Sequence, residues 1–227
     1  MDMKRKSIFL LASIVVLILS SCMQAPEGEK VETGDVYTIK PYDHGIELKV
    51  DLENSSIEWL GTKPTGTHFG TLGIKEGSVF VKDGNILGGK FIMDMNSIVV
   101  LDIDNPEMNG NLVRHLKSAD FFYVDSFPNA YFEFSKIKAI KNVQGSDAEF
   151  NPSHRIEGNL TIRGITKGIN FNAKINLNKG ILQATTPQFL LNRTNWNVIY
   201  GSNSIFANLK DNFIHDEMGV KINLVAN

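Results

Sequence analysis

A histidine and two aspartates crowd into one short stretch. His115, Asp120 and Asp125 lie within "LVRHLKSADFFYVDSFPNAYFEF", Leu112 to Phe134. A histidine beside a carboxylate is the pairing that general acid–base catalysis uses. That use requires surroundings that drive the two pKa values apart, and nothing in the sequence distinguishes Asp120 from Asp125 in this way. Capping and turn formation around a helix end account for both aspartates. The densest set of metal-ligand types is "IHDE", Ile214 to Glu217, where alternation puts His215 and Glu217 on one side of a strand and Asp216 on the other. The five histidines, His44, His68, His115, His154 and His215, show no His-x-His or His-x3-His spacing, so no metal site is expected. There is no G-x-S-x-G elbow for a serine nucleophile, and "GGK" at Gly88 to Lys90 lacks P-loop spacing. The only cysteine is Cys22, which rules out a disulfide framework and a thiol nucleophile in the folded domain. None of these residue types and spacings marks a catalytic centre, and no cofactor is expected.

The elements that would position these residues begin after an export signal. Residues 1–22, "MDMKRKSIFLLASIVVLILSSC", have a basic start, an apolar run from Ile8 to Leu19 and small residues before Cys22. That run is short for a bilayer span, so a signal peptide is expected instead of a transmembrane helix. "LSSC" resembles the lipobox of bacterial lipoproteins, which makes Cys22 the expected site of lipidation, by palmitate or a similar acyl chain, and the membrane anchor. The expected location is the bacterial envelope, facing the periplasm or on the outer membrane, with Met23 after the cysteine leaning toward the latter. Removing this segment takes away three basic residues and one acidic one, leaving a net charge near -4, which argues against nucleic acid as a partner. Residues 23–42 are polar and aperiodic and read as a flexible tether.

From residue 43 to 227, period-two alternation dominates. "IELKVDL" sets Ile46, Leu48, Val50 and Leu52 against Glu47, Lys49 and Asp51, and in "IEWLGTK" Ile57 and Trp59 share a face. Glu76-Gly77 and Asp83-Gly84 look like hairpin turns between "THFGTLGIKEG", "SVFVK" and "NILGGKFIMDM". "RIEGNLTIR", "INFNAKI" and "MGVKINLVAN" continue the pattern, with Ile156, Leu160 and Ile162, then Ile169, Phe171, Ala173 and Ile175, then Met218, Val220, Ile222 and Leu224 on apolar faces. One segment departs from it. Between Glu107 and Ala119 the four-residue spacing of Leu112 and Leu116 predicts a short amphipathic helix ending near Ser118 to Asp120. About eight amphipathic antiparallel strands with one helix predict a closed barrel or a sandwich, because closure removes exposed edges. Large side chains sit on the apolar faces: Trp59, Phe91, Met93, Phe132, Phe134 and Phe171. An eight-stranded barrel either fills with such residues or holds one apolar ligand.

Three separated motifs resemble the YceI-like, or lipid/polyisoprenoid-binding, family. They are "HLKSADFFYVDSFPNAYFEF", "IEGNLTIRGITKGINF", and "NRTNWNVIYGS" followed by "IHDEMGVKINLVA". Two positions depart from the family pattern: Tyr123 stands where aspartate is usual, and Gly168 where proline is frequent. Both are read as loop or turn positions. The resemblance runs from about Glu47 to Asn227 and implies an all-β, lipocalin-like, extended eight-stranded antiparallel barrel with one short helix. Its apolar interior would hold a long-chain isoprenoid, of quinone or polyprenyl type, without chemistry. The implied tunnel residues are the six large ones above, Leu112 and Leu116 of the helix, Phe121 and Phe122 beyond it, Leu160, and Trp196. Phe121 and Phe122 would form a plug or gate, with Pro128 setting the bend into the strand of Phe132 and Phe134. Arg114, His115, Lys117 and Arg193 could meet a headgroup phosphate or quinone oxygen at the mouth, but each reads first as part of a solvated face.

Three rivals stay open at this point: a barrel for a fatty acid or fatty amide, a hydrolase using His115 with Asp120 or His215 with Glu217, and a barrel with a filled interior. Whether the chain forms a homodimer is also open.

Overall fold

The computed structural model describes residues 25–140 and 150–227. The proposed signal peptide and Cys22 lie outside these residues. The strands, in chain order, are β1 (Glu29–Lys30), β2 (Thr33–Gly34), β3 (Ile46–Lys49), β4 (Ser56–Lys63), β5 (Gly66–Lys82) and β6 (Asn85–Val100). After helix α1 (Pro106–Lys117) come β7 (Asn129–Ala139), β8 (His154–Ile162), β9 (Ile165–Asn178), β10 (Ile181–Thr185), β11 (Phe189–Asn192) and β12 (Glu217–Ala226). Eight of them, β4 to β10 and β12, close into an antiparallel barrel, with β12 paired to β10 on one edge and to β4 on the other. Among the described residues no helix is long and apolar enough to cross a membrane.

The long strands follow from their turns. Asp83 and Gly84 both have positive φ, at 50° and 76°, which gives the two-residue hairpin whose twist suits β5 and β6. Arg163-Gly164 and Lys179-Gly180 repeat this geometry between β8 and β9 and between β9 and β10. Glu76-Gly77, by contrast, is not a turn. It lies inside the unbroken strand β5, where a Cβ on Gly77 would come within 2.6 Å of Val50 and 2.8 Å of Phe91. The glycine there admits packed neighbours from both sides. Register shifts at Thr71/Gly73 and Ile74/Glu76 carry β5 across this region.

Helix α1 begins where Asn105 accepts from the backbone N–H groups of Glu107 and Met108, with Pro106 in the first turn. It ends at Ser118, and Leu116 is its buried residue. The core falls into three groups: a central one around Met93, Phe134, Phe171 and Phe189, a second around Leu48, Val79, Leu182 and Leu224, and a third packing Leu116 and Phe121 against Ile98 and Val198.

The segment expected to be a free tether is instead laid on the barrel wall from residue 27 onward. β1 pairs in parallel with β11, and β2 pairs with β9 at Gly168 and Ile169. Tyr37 and Asn159 exchange two hydrogen bonds, of 2.8 and 2.9 Å, and the Tyr42 ring stacks 4.3 Å from that of Phe80. A polar, aperiodic sequence is enough here because the barrel supplies the partners. Gly168 is correspondingly a strand residue with no room for a side chain: a Cβ would lie 2.1 Å from the Asp35 carbonyl oxygen. Tyr123 does sit in a turn, with φ at 47°, a conformation that aspartate and asparagine tolerate better than tyrosine.

Candidate functional site

The inward faces of the barrel strands leave a cavity of about 240 Å³. Each of the eight closing strands contributes to its wall, for example Trp59 from β4, Leu72 from β5, Met95 from β6, Phe132 from β7, Ile162 from β8, Phe171 from β9, Ala184 from β10 and Val220 from β12. A single water needs on the order of 10–15 Å³ of such space and two to four polar partners. The space is ample for many waters, yet its wall is overwhelmingly hydrocarbon. The arrangement suits an apolar chain, which gains about 0.8 kcal/mol per buried CH2 before ordering costs.

Of the twelve expected tunnel residues, ten line this cavity: Trp59, Phe91, Met93, Leu116, Phe121, Phe122, Phe132, Phe134, Leu160 and Phe171. Leu112 and Trp196 do not. Leu112 is half-buried against the group around Leu116 and Val198, one helical turn from the wall residue Leu116. Trp196 is completely buried in the 3-10 turn Arg193–Trp196, and its indole N–H donates to the Leu160 carbonyl at 3.1 Å. It supports the wall from behind. Wall residues that no motif marked include Phe189 and Leu191 of β11, because a four-residue strand shows too little alternation to be read.

Three wall residues carry charge or a titratable ring: Arg193, His215 and Glu217. Arg193 is not a solvated cation but is 4% exposed. It donates from Nε to the His215 carbonyl, from one terminal nitrogen to Val198 and from the other to Ile214. Its guanidinium lies 3.7 Å from Asp216 and 5.9 Å from the centre of the Phe121 ring. Burial lowers its pKa from the ordinary value and Asp216 opposes that shift. Arg193 therefore ties the chain around Ile214 to the 3-10 turn. The Oδ1 atom of Asp216 has no hydrogen-bond partner, the only such buried side-chain atom among the described residues.

The pairs that suggested catalysis are held for other ends. His115 Nε2 is 3.3 Å from Asp120, but neither residue lines the cavity, and the His115 ring packs edge-on against Phe121 and Tyr200. Asp125 is exposed. His215 bonds through Nδ1 to the Thr62 hydroxyl at 2.8 Å, while Glu217 accepts from Lys30 at the same distance. Among the described residues no three histidine, cysteine or acidic side chains gather as a metal site would need.

Comparison with known proteins agrees with this geometry. A UPF0312 protein of Enterobacter sp. is 31% identical over 107 residues, 47% of this chain and 48% of its own. One from Pseudomonas aeruginosa is 39% identical over 62 residues, 27% of each chain. The matched stretches thus span between about a quarter and a half of these relatives. Among solved structures, Burkholderia cenocepacia BcnA superposes with a TM-score of 0.57 at 18% identity, covering 78% of this chain and 99% of its own. A polyisoprenoid-binding domain from Saccharophagus degradans gives 0.54 at 12% identity, covering 79% and 97%. These two show the shared fold. The sequence model of the YceI-like domain matches residues 48–226, the whole barrel from β3 to β12, and the chain belongs to that family.

Proposed function

We propose that this protein binds and shelters a long-chain isoprenoid lipid, of quinone or polyprenyl type, inside its barrel, without chemical conversion, while tethered to the bacterial envelope by a lipid on Cys22. The observation that carries this reading is the cavity, walled by hydrocarbon from every closing strand, which the protein's own side chains leave unfilled. A filled interior would have left no such space. The fold shared with a polyisoprenoid-binding domain supports the ligand class. The mechanism is desolvation: a polyprenyl chain offers only hydrocarbon surface, and an apolar wall holds it by keeping water out.

The test is organic extraction of the protein purified from its own envelope, followed by mass spectrometry. A stoichiometric isoprenoid is expected. Repeated recovery of no lipid would remove the proposal, and recovery of a saturated acyl chain that an isoprenoid cannot displace would reassign the ligand to a fatty acid or amide. Base-treated protein losing an acyl group that a Cys22→Ser chain never carries would establish the anchor.

A further inference from the structure

The barrel wall contains a seam that the eight-strand closure does not seal. On one edge of β12, β11 occupies Glu217 to Val220 and β10 occupies Asn223 to Ala226. β10 also pairs with β9, but only from Lys174 to Asn178. Below that level β9 and β11 face each other with no ladder between them among the described residues. From Ile169 to Ala173 this gap extends roughly 13 Å by the rise of a strand. Two things close it. Inside, the rings of Phe171 and Phe189 stack across it; outside, residues 29–34 bridge it, pairing with β11 through β1 and with β9 through β2. Between those pairings Val31 donates its N–H to the Leu190 carbonyl and packs its side chain against the central core.

This closure is weak compared with the rest of the wall. β1 and β2 are two residues each, and of the side-chain hydrogen bonds that add to them, Lys30 with Glu217 and Asn172 with Glu29 are exposed, where they contribute little, leaving the half-buried bond from Asn195 to Thr33. Short pairings with few buried apolar contacts open locally at far lower cost than the barrel unfolds. Both stacked rings also belong to the cavity wall, so parting them together with residues 29–34 opens the cavity on this side. Resting on the reading that the cavity holds a lipid, we propose that the seam between β9 and β11 is the lateral portal through which the chain enters and leaves, and that residues 29–34 are its latch. A long chain then threads sideways and need not pass end-on beneath helix α1.

The experiment measures uptake and release of a dansyl-tagged geranylgeraniol by the full chain in stopped flow. Two variants loosen the latch without altering the rings: Val31→Ser removes its apolar insertion, and Gly168→Ala drives a Cβ against the Asp35 carbonyl. Each is expected to raise association and release rates together by about tenfold, with Kd unchanged within twofold, since opening a gate alters the path and not the end states. Hydrogen exchange at residues 29–34 confirms the loosening. Leu112→Ser, which loosens the helix instead, is expected to leave both rates as they are. Unchanged rates in the latch variants despite faster exchange would overturn the portal, as would a Kd that weakens in step with release while association stays constant. If the unaltered chain takes up no probe, the lipid-binding function fails and the portal with it; uptake at rates the latch does not control removes the portal alone.

Discussion

The ring of Phe171 on β9 lies against that of Phe189 on β11, centroids 4.9 Å apart and planes 9° from parallel, although the strands that carry them share no ladder. Side-chain stacking on the inside, with residues 29–34 bridging on the outside, takes the place of the direct ladder that joins the other neighbouring strands. Truncating a buried phenylalanine costs about 3–5 kcal/mol, and because each ring has the cavity on one side, the lower end of that range is expected for Phe171→Ala and Phe189→Ala. The double variant should lose about 0.5–1.5 kcal/mol less than the two losses combined, the coupling typical of an aromatic pair. Urea denaturation of delipidated protein measures the cycle, and strict additivity would mean that the rings do not join the strands.

Arg193 and Asp216 form a second long-range tie, at 4% and 7% exposure. Removing one member of a buried pair strands the other's charge, so Arg193→Met is expected to cost about 3–5 kcal/mol. The double variant Arg193→Met/Asp216→Asn should recover part of that loss, because the stranded carboxylate is gone. Thermal unfolding of the two proteins distinguishes this from a role confined to the three carbonyls that Arg193 caps, in which case the second substitution recovers nothing.

Glu157 should contribute to acid sensitivity. Its carboxylate receives Lys136 and Lys138 from β7, and both hold its pKa below the ordinary 4.5. A lowered folded-state pKa contributes stability that is complete above the unfolded value and is lost as pH falls through the folded one. The unaltered protein should therefore lose stability below about pH 4.5 more steeply than Glu157→Gln, and should be the more stable of the two at pH 7. Urea midpoints at a series of pH values check this, and parallel curves would show that the lysines do not act through Glu157.

What could be read from the sequence was what repeats locally. Alternation along "INFNAKI" and "MGVKINLVAN" is enough to aim Phe171, Val220 and their neighbours inward, because successive side chains of a strand point to opposite faces. The helix was readable for the same reason, from Leu112 and Leu116 at a spacing of four. What remained hidden depends on partners distant in the chain. Arg193 reads as an exposed cation until the carbonyls of Ile214 and His215 are brought to it. The stretch from residue 27 to 42 reads as a tether until Asn159, 122 residues away, bonds Tyr37 twice. Trp196 has the size of a wall residue, but its indole N–H requires a carbonyl, and the Leu160 carbonyl draws it behind the wall. Gly77 and Gly168 carry a turn former's identity in strands that need bare backbone for close approach, a use of glycine that composition cannot separate from turning.

The last prediction concerns the stretch where His115 suggested catalysis. Phe121 and Phe122 both line the cavity, with Phe121 7% exposed and held between His115, Tyr200 and Arg193. Their rings supply apolar wall at the end that α1 covers, so Phe121→Ser with Phe122→Ser puts two hydroxyls beside the lipid and removes much of that surface. Each fully buried phenylalanine side chain is worth about 1.5–3 kcal/mol in transfer, and the part of it that faces the ligand is lost from binding. Affinity for the geranylgeraniol probe is expected to fall by at least tenfold, about 1.4 kcal/mol. His115→Ala removes edge contacts behind Phe121 and with Tyr200 and a pairing with the exposed Asp120, none of them inside the cavity, so its affinity should stay within threefold of the unaltered protein. Fluorescence titration of the two variants ranks them. The reverse order would return His115 to the site and make this stretch a polar binding or reacting centre, not the apolar end wall of the cavity.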